Sequence, residues 1–244
     1  MKKIPGLGII IVAGGSSTRY GKGNKLFENL AGLPVFLHSV KNFSPLAEEG
    51  FLLLVIPAGE KENFRRLLQE YFPDRNIPLV AGGSTRTESV QNGLRALPPS
   101  TQIAAIHDAA RPLAKPALLR DLAEMVQNTG CGAIAAEKMI DSVCRTDADG
   151  KILDNVPRED LWRIQTPQVF RYSDICAAYT RLSGETLTDD SAAARACGFP
   201  VKVLKNPDPN LKLTLPGDLF LLEQLIKNCD CPQAYREVKT DFRK

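Results

Sequence analysis

Histidine and tryptophan are scarce in this chain: His38, His107 and Trp162 are the only ones among 244 residues. Six cysteines, Cys131, Cys144, Cys176, Cys197, Cys229 and Cys231, are scattered, and no pair has CxxC spacing. This distribution argues against a zinc site or a disulfide framework and favours reduced, mostly buried thiols. No apolar run approaches the ~20 residues that a membrane-spanning helix needs. The run at 7–13 is too short, and it opens onto Gly14-Gly15 rather than a cleavage site, so it reads as the first buried strand of a cytoplasmic protein. Neither sign of charge dominates, with 31 basic against 28 acidic residues and a formal net charge of +3. Well-mixed charge gives no nucleic-acid stripe, while a mild basic excess suits an anionic small molecule. Two phosphate-binding signatures are also missing. No GxGxxG follows the first strand. A Walker loop fails because the Gly15 to Gly21 gap is one residue too long and Gly23 follows Lys22 where Ser or Thr is required.

What the chain has is alternation. Strand-length apolar runs at 8–12, 51–56, 79–81, 103–107 and 132–136 are separated by helical patterns at 35–43, 60–71, 85–97 and 116–128. This order predicts an α/β fold with a mostly parallel sheet covered by helices on both faces. Near-continuous apolar runs fit strands buried on both sides. Thr85-Arg86-Thr87-Glu88 fits a capping box at the start of the third helix. Beyond Glu137 the alternation stops, and Asp147-Ala148-Asp149-Gly150 marks a tight turn between two short extended stretches. The expected form is a hairpin arm at about 138–158 whose apolar residues need a partner subunit. Helices follow at 172–182 and 189–197, a strand at 201–204, and a last helix from about Pro216 to Lys227. One domain over 1–228 is expected, with 229–244 a solvated, weakly basic tail lacking periodicity.

Three polar segments fall at predicted strand ends, where open α/β sheets place their ligands. The first runs from Val12 through Gly14-Gly15 and Arg19 to Lys25. Its glycines let backbone N–H groups approach phosphate closely, and its two cations add positive charge. The second is Gly82-Gly83-Ser84-Thr85-Arg86-Thr87-Glu88-Ser89, a strand end that turns into a helix start, where exposed N–H groups can meet a phosphate or a base edge. The third is His107-Asp108-Ala109-Ala110-Arg111-Pro112. An acid there can hold magnesium or a ribose hydroxyl, and Arg111 can grip phosphate, whereas His107 reads as a satisfied strand-end histidine.

Together with Asp141-Ser142, Arg158, Leu161-Trp162, Gln165-Thr166-Pro167-Gln168, Thr188-Asp189-Asp190 and Asn210-Leu211-Lys212-Leu213-Thr214, these segments resemble one family over roughly residues 7 to 227. It is the 2-C-methyl-D-erythritol 4-phosphate cytidylyltransferases of non-mevalonate isoprenoid synthesis. The resemblance implies a Rossmann-like nucleotidyltransferase sheet, a homodimer with interlocked arms, and transfer of CMP from Mg-CTP to a polyol phosphate. Arg19, Lys25 and Lys212 match the cations around the reacting phosphates. Ala13, Gly14, Gly15, Gly82, Ser84 and Ser89 match positions around the nucleotide. Asp108 matches the acid beside ribose, metal and acceptor. Arg111, Ser142, Arg158, Thr166, Thr188 and Lys212 match acceptor positions, with Arg158 supplied by the partner's arm.

Three residues depart from the pattern: Ser84 for a common Asp, Ser142 for Thr, and Gly217 for Glu. None removes a charge assigned to the reaction. The acceptor's phosphate is already anionic, so no strong base is required, and positioning plus electrostatics should carry the catalysis. Two rivals stay open: a ribitol-5-phosphate cytidylyltransferase, and a CTP-binding regulator without catalysis.

Overall fold

The computed structural model describes residues 2–14, 20–21, 23–182, 184–185 and 187–229, with Cys229 described by its backbone alone. The chain begins with β1 (Leu7–Val12), a small hairpin of β2 (Asn29–Leu30) and β3 (Leu33–Pro34), and α1 (Val35–Phe43). Next come β4 (Leu52–Ile56), α2 (Lys61–Tyr71), β5 (Leu79–Ala81), α3 (Arg86–Ala96), β6 (Ile103–Asp108), α4 (Pro116–Thr129) and β7 (Gly132–Lys138). Strands β8 (Val143–Thr146) and β9 (Ile152–Val156) make the arm, and β10 (Trp162–Arg171) returns to the sheet. Helices α5 (Tyr172–Arg181) and α6 (Asp190–Ala196), strand β11 (Val201–Lys205) and helix α7 (Pro216–Cys229) complete the chain.

Seven strands form the central sheet in the order β11-β7-β10-β6-β1-β4-β5. Every pairing is parallel except those of β10, which runs antiparallel to both β6 and β7. The apolar runs explain the layering. Alternate residues of one strand go to opposite faces. Ile9, Ile11, Leu52 and Leu54 pack with α1, α2 and α4, while Ile10, Leu53 and Val55 pack with α3, α5 and α6. Strands β1, β4 and β6 are accordingly almost wholly buried. Full burial of each such aliphatic side chain stabilises by about 1.5–3 kcal/mol.

β5 departs from the expectation of burial on both faces. It lies at the sheet edge, so Leu79 and Val80 are only half-buried and Ala81 is exposed. The thiols differ too: Cys144 is exposed on the arm, and Cys131, Cys176 and Cys197 are half-buried free cysteines, none of them deep in the core. They sit at element ends and helix margins, where side chains are only partly covered.

β10 has no counterpart among the predicted strands. Its Gln165-Thr166-Pro167-Gln168 segment is polar and carries a proline, which argues against a central strand. The structure resolves the conflict with a register shift between Ile164 and Gln168, which takes the intervening residues out of regular pairing with β7. Within the shift the Thr166–Pro167 peptide is cis. The arm continues the β7–β10 pair beyond the sheet, closed at its base by the Met139 N–H donating to the Leu161 carbonyl at 2.9 Å. Its turn forms as the sequence suggests: Asp147 Oδ1 accepts from the N–H groups of Asp149 and Lys151, and Gly150 takes a positive φ of 83°. Because β7 is antiparallel to β10, and β10 to β6, the arm leaves from the carboxyl ends of β6 and β1. The arm and the predicted ligand segments therefore share one edge.

Helix α3 lies unusually close to the sheet at Gly93. A Cβ there would stand 2.7 Å from Ile10 Cγ2 and 2.9 Å from Val55 Cγ2, both branched methyls with little freedom. Gly93→Ala would gain about 1 kcal/mol of helix propensity. Overpacking of about 1–3 kcal/mol opposes that gain. Net destabilisation in urea unfolding is the expected result, and a more stable variant would show that α3 can move away without cost.

Candidate functional site

The strand order reverses at β1. The chain goes from β1 to β4 and β5 on one side, then crosses to β6 on the other. The crevice between the carboxyl ends of β1 and β6 is the topological switch point, where Val12 pairs with Asp108. Beside it, Ser89 of α3 lies close to two glycine segments and bonds to one of them. Its hydroxyl accepts from the Gly83 N–H at 3.1 Å and donates to the Thr85 carbonyl at 2.9 Å. A Cβ on Gly82 would lie 2.8 Å from Ser89 Oγ, and one on Gly14 would lie 3.2 Å from the same atom. A side chain on Gly82 would collide with Ser89 and one on Gly14 would crowd it, so glycine at both strand ends eases the close approach of the helix. Ala13 continues the β1 pairing, its N–H donating to the Val55 carbonyl at 2.7 Å.

Thr85 caps α3 as expected, accepting from the Glu88 N–H at 3.1 Å. The return half of the box is displaced by one residue. The Glu88 carboxylate accepts from the Ser84 N–H at 2.6 Å and from the Ser84 hydroxyl at 2.8 Å, which holds its pKa below the ordinary value. Ser84 therefore spends its side chain on the loop itself.

At the end of β6 the backbone is fixed from behind. Thr166 Oγ1 accepts from the Asp108 N–H at 3.0 Å and lies 3.1 Å from His107 Nδ1. The Arg111 carbonyl beside Nε2 can only accept, so Nδ1 of the neutral ring is bare and takes the Thr166 proton. His107 then carries its own proton on Nε2 and donates it to the Arg111 carbonyl at 3.2 Å. Burial pushes the ring pKa down to about 3, and the ring packs edge-on against Phe43. His107 is a neutral structural link, as its sequence position suggests. Thr166 is buried, and its hydroxyl is committed to this chain of bonds. The displaced pairing in β10 aims it there, a common use of a β-bulge.

The Asp108 carboxylate is gripped from two sides. Lys212 Nζ donates to Oδ2 at 2.6 Å, and Arg86 Nε approaches Oδ1 at 3.4 Å. Burial alone would raise its pKa, but Arg86, Lys212 and Arg111 together outweigh burial and hold it well below the usual carboxylate range. Arg86 turns its other edge to Asp190, with Nη1 at 3.0 Å from Oδ1 and Nη2 at 2.7 Å from Oδ2. Asp190 is fully buried and also accepts from the Tyr179 hydroxyl at 2.5 Å. Arg111 donates through Nη1 to the Asn210 carbonyl at 2.7 Å. Asn210 reaches on to Gln165 Oε1 and the Thr166 carbonyl, which ties the 206–214 segment to β10. Next to these groups lies a cleft of about 660 Å³, lined in part by Arg111, Arg163, Gln165, Asn210 and Lys212.

The structure thus brings together Asp108, Arg111, Thr166 and Lys212, and separately Gly14, Gly82 and Ser89. Lys25 opens a short 3-10 turn, Lys25–Phe27, where Asn24 Oδ1 accepts from the Leu26 N–H at 3.1 Å. Gly15 and Arg19 lie outside the described residues, as do residues 230–244 of the expected tail. Ser142 is exposed at the base of the arm, where Arg158 donates to the Ile140 carbonyl, and Thr188 is exposed just ahead of α6. Gly217 falls in the first turn of α7, with open space where a side chain would be. Arg86 and Tyr179 were not singled out from sequence. Arg86 stands 104 residues from Asp190 along the chain, and no local pattern announces a pair at that separation.

Replacing Thr166 by Val leaves the buried Asp108 N–H and His107 Nδ1 without partners. Each loss is worth about 1–3 kcal/mol. Thr166→Val is therefore expected to lower unfolding free energy by at least ~1 kcal/mol, with Thr166→Ser near wild type. Equal urea midpoints for Val and Ser would show that the hydroxyl does not hold this strand end.

Comparison with known proteins adds to this geometry. The family model described as IspD, 2-C-methyl-D-erythritol 4-phosphate cytidylyltransferase, matches residues 7–228. A protein of that name from Dehalococcoides mccartyi is 36% identical over 221 residues, covering 91% of this chain and 96% of its own length. One from Parasynechococcus marenigrum is 38% identical over 223 residues, covering 89% and 96%. The crystal structure of 4-diphosphocytidyl-2C-methyl-D-erythritol synthase from Anaerococcus prevotii superposes with a TM-score of 0.78 at 28% identity, covering 91% of this chain and 98% of that one. With a family model matching residues 7–228 and relatives more than 30% identical along nearly its whole length, the chain belongs to the 2-C-methyl-D-erythritol 4-phosphate cytidylyltransferase family.

Proposed function

We propose that the crevice at the carboxyl ends of β1 and β6 binds Mg-CTP and 2-C-methyl-D-erythritol 4-phosphate side by side. The chain transfers CMP between them, giving 4-diphosphocytidyl-2-C-methyl-D-erythritol and pyrophosphate. An acceptor phosphate oxygen forms the new bond to the α-phosphorus as the bond to the bridging oxygen of pyrophosphate breaks. No proton has to be removed from the attacking group, which matches a site whose one histidine is neutral and buried. The observation that carries the reading is the Lys212–Asp108–Arg86 grouping at the switch point.

Lys212 is held 2.6 Å from Asp108, so its ammonium is already in the site and needs only a local exchange to meet a phosphate. Preorganised cations of this kind lower the barrier without reorganisation during the reaction. Arg19 and Lys25 complete the set from the glycine loop, and Gly14, Gly15, Gly82, Ser84 and Ser89 border the nucleotide. Arg111 and Thr188 belong to the acceptor side. Among the described residues no group of three or more His, Cys, Asp or Glu side chains could hold a metal ion. That donor set fits magnesium carried by the triphosphate, with Asp108 its one candidate protein ligand. When bound, the ion neutralises triphosphate oxygens. A cytoplasmic setting belongs to the same reading, because free thiols suit a reducing compartment.

The arm points to a homodimer. Ile140, Ile152 and Leu153 are 72%, 62% and 63% exposed, an apolar surface that one chain leaves uncovered. A partner's arm lying across the carboxyl edge would bring its Ser142 and Arg158 to the acceptor.

Two experiments test this reading. Pyrophosphate release from Mg-CTP is expected with 2-C-methyl-D-erythritol 4-phosphate and not with ribitol 5-phosphate. Arg19→Ala, Lys25→Ala or Lys212→Ala should each lower turnover on the order of 100-fold. Release with ribitol 5-phosphate alone would reassign the acceptor, and CTP binding without release would make the protein a regulator. For the dimer, Ile152→Asp with Leu153→Asp should halve the mass seen by light scattering and reduce turnover. An unchanged dimer would remove the arm from the interface.

A further inference from the structure

The groups that face Asp108 are themselves held in place, and one of the holders is buried in the core on α5. Tyr179 is on α5, buried to 1% exposure, and the only described polar contact of its hydroxyl is with Asp190. Asp190 opens α6 and is fully buried. Oδ1 of Asp190 accepts from both the Tyr179 hydroxyl and Arg86 Nη1, and Oδ2 accepts from Arg86 Nη2. A carboxylate bound only by the guanidinium fork could still rock about its Cβ–Cγ bond and carry the arginine with it. A third donor on one oxygen fixes that rotation. With both Nη groups held this way, the remaining edge of the guanidinium turns Nε toward Asp108.

We propose that Tyr179 is a positioning residue for the transfer reaction, which orients Arg86 through Asp190 and thereby sets how firmly Asp108 holds Lys212. The inference rests on the reading of the site given above and adds a residue to it that touches neither substrate. Burial and the neighbouring Asp190 raise the Tyr179 pKa far above its ordinary value, so the hydroxyl remains a donor throughout the working range. The chain of contacts also links α5 and α6, which pack through their apolar faces, to the groups around Asp108. If Arg86 swings away, Asp108 keeps Lys212 as its nearest direct partner, and that lysine becomes harder to release to a phosphate. The loss should therefore appear in the chemical step rather than in substrate affinity.

Tyr179→Phe removes one oxygen and keeps the ring in the core. The expected result is about a tenfold lower kcat, with KM for Mg-CTP and for the acceptor changed less than about twofold. Arg86→Lys keeps a cation beside Asp190 and lacks the Nε–H that faces Asp108. In that background Tyr179→Phe should cost nothing further in kcat, because residues acting through one contact are not additive. Losses that multiply in the double variant, or a kcat unchanged in the single one, would overturn the proposal. A second readout needs no turnover and so separates this inference from the reading of the site. In 15N-labelled protein without ligand, the Arg86 Nε–H should exchange at least about tenfold faster with solvent in Tyr179→Phe than in wild type. Equal exchange rates would overturn the relay even if the enzyme transfers CMP as described. A wild type silent with both acceptors but showing the exchange difference would support the relay while sinking the reading of the site.

Discussion

One carboxylate at the end of a buried strand organises the carboxyl edge of the sheet. Asp108 is nearly inaccessible, and a negative charge there would be costly without compensation. Lys212, Arg86 and Arg111 supply that compensation from three different parts of the chain, and Thr166 fixes the backbone beneath it. Each of those residues needs a partner in turn: Arg86 has Asp190, Arg111 has the Asn210 carbonyl, and Thr166 has His107. The charge therefore recruits β10, α6 and the 206–214 segment to one place. Removing one cation would leave this carboxylate poorly compensated, while the partial exposure of Arg86 and Lys212 moderates the cost.

Much of the fold was legible because the strands of a covered parallel sheet are apolar throughout and their helices carry clear periodicity. The bounds of α1 and β5 agree with the sequence reading, and α2, α3, α4 and α5 differ by a residue or two at their ends. The arm's turn was readable from Asp147 and Gly150, since both residues act through local backbone geometry. β10 was hidden for a physical reason. Its central residues are spent on hydrogen bonds to β6 and the 206–214 segment, and polar residues beside a proline look like a loop.

For the site, the strand-end segments were readable because glycine and charge follow apolar runs there. The structure adds a division of labour that the sequence does not carry. Thr166 matches an acceptor position in the family pattern, yet its hydroxyl is committed to Asp108 and His107 inside the protein. Ser84 is likewise bonded to Glu88. Arg86, quoted only as part of a glycine-bearing segment, forms the bridge between two buried acids. Residue type alone cannot separate a group that meets ligand from one that supports it, because both are polar and both lie near strand ends.

The small bond between Met139 and Leu161 at the base of the arm has a wider consequence. It acts as a clasp, closing the β7–β10 ladder before the chain departs into β8 and β9. The displaced register at Thr166 lies on the sheet side of this clasp, and the outer hairpin lies beyond it. The clasp thus sets where the ladder ends, and with it the point and direction from which the arm departs.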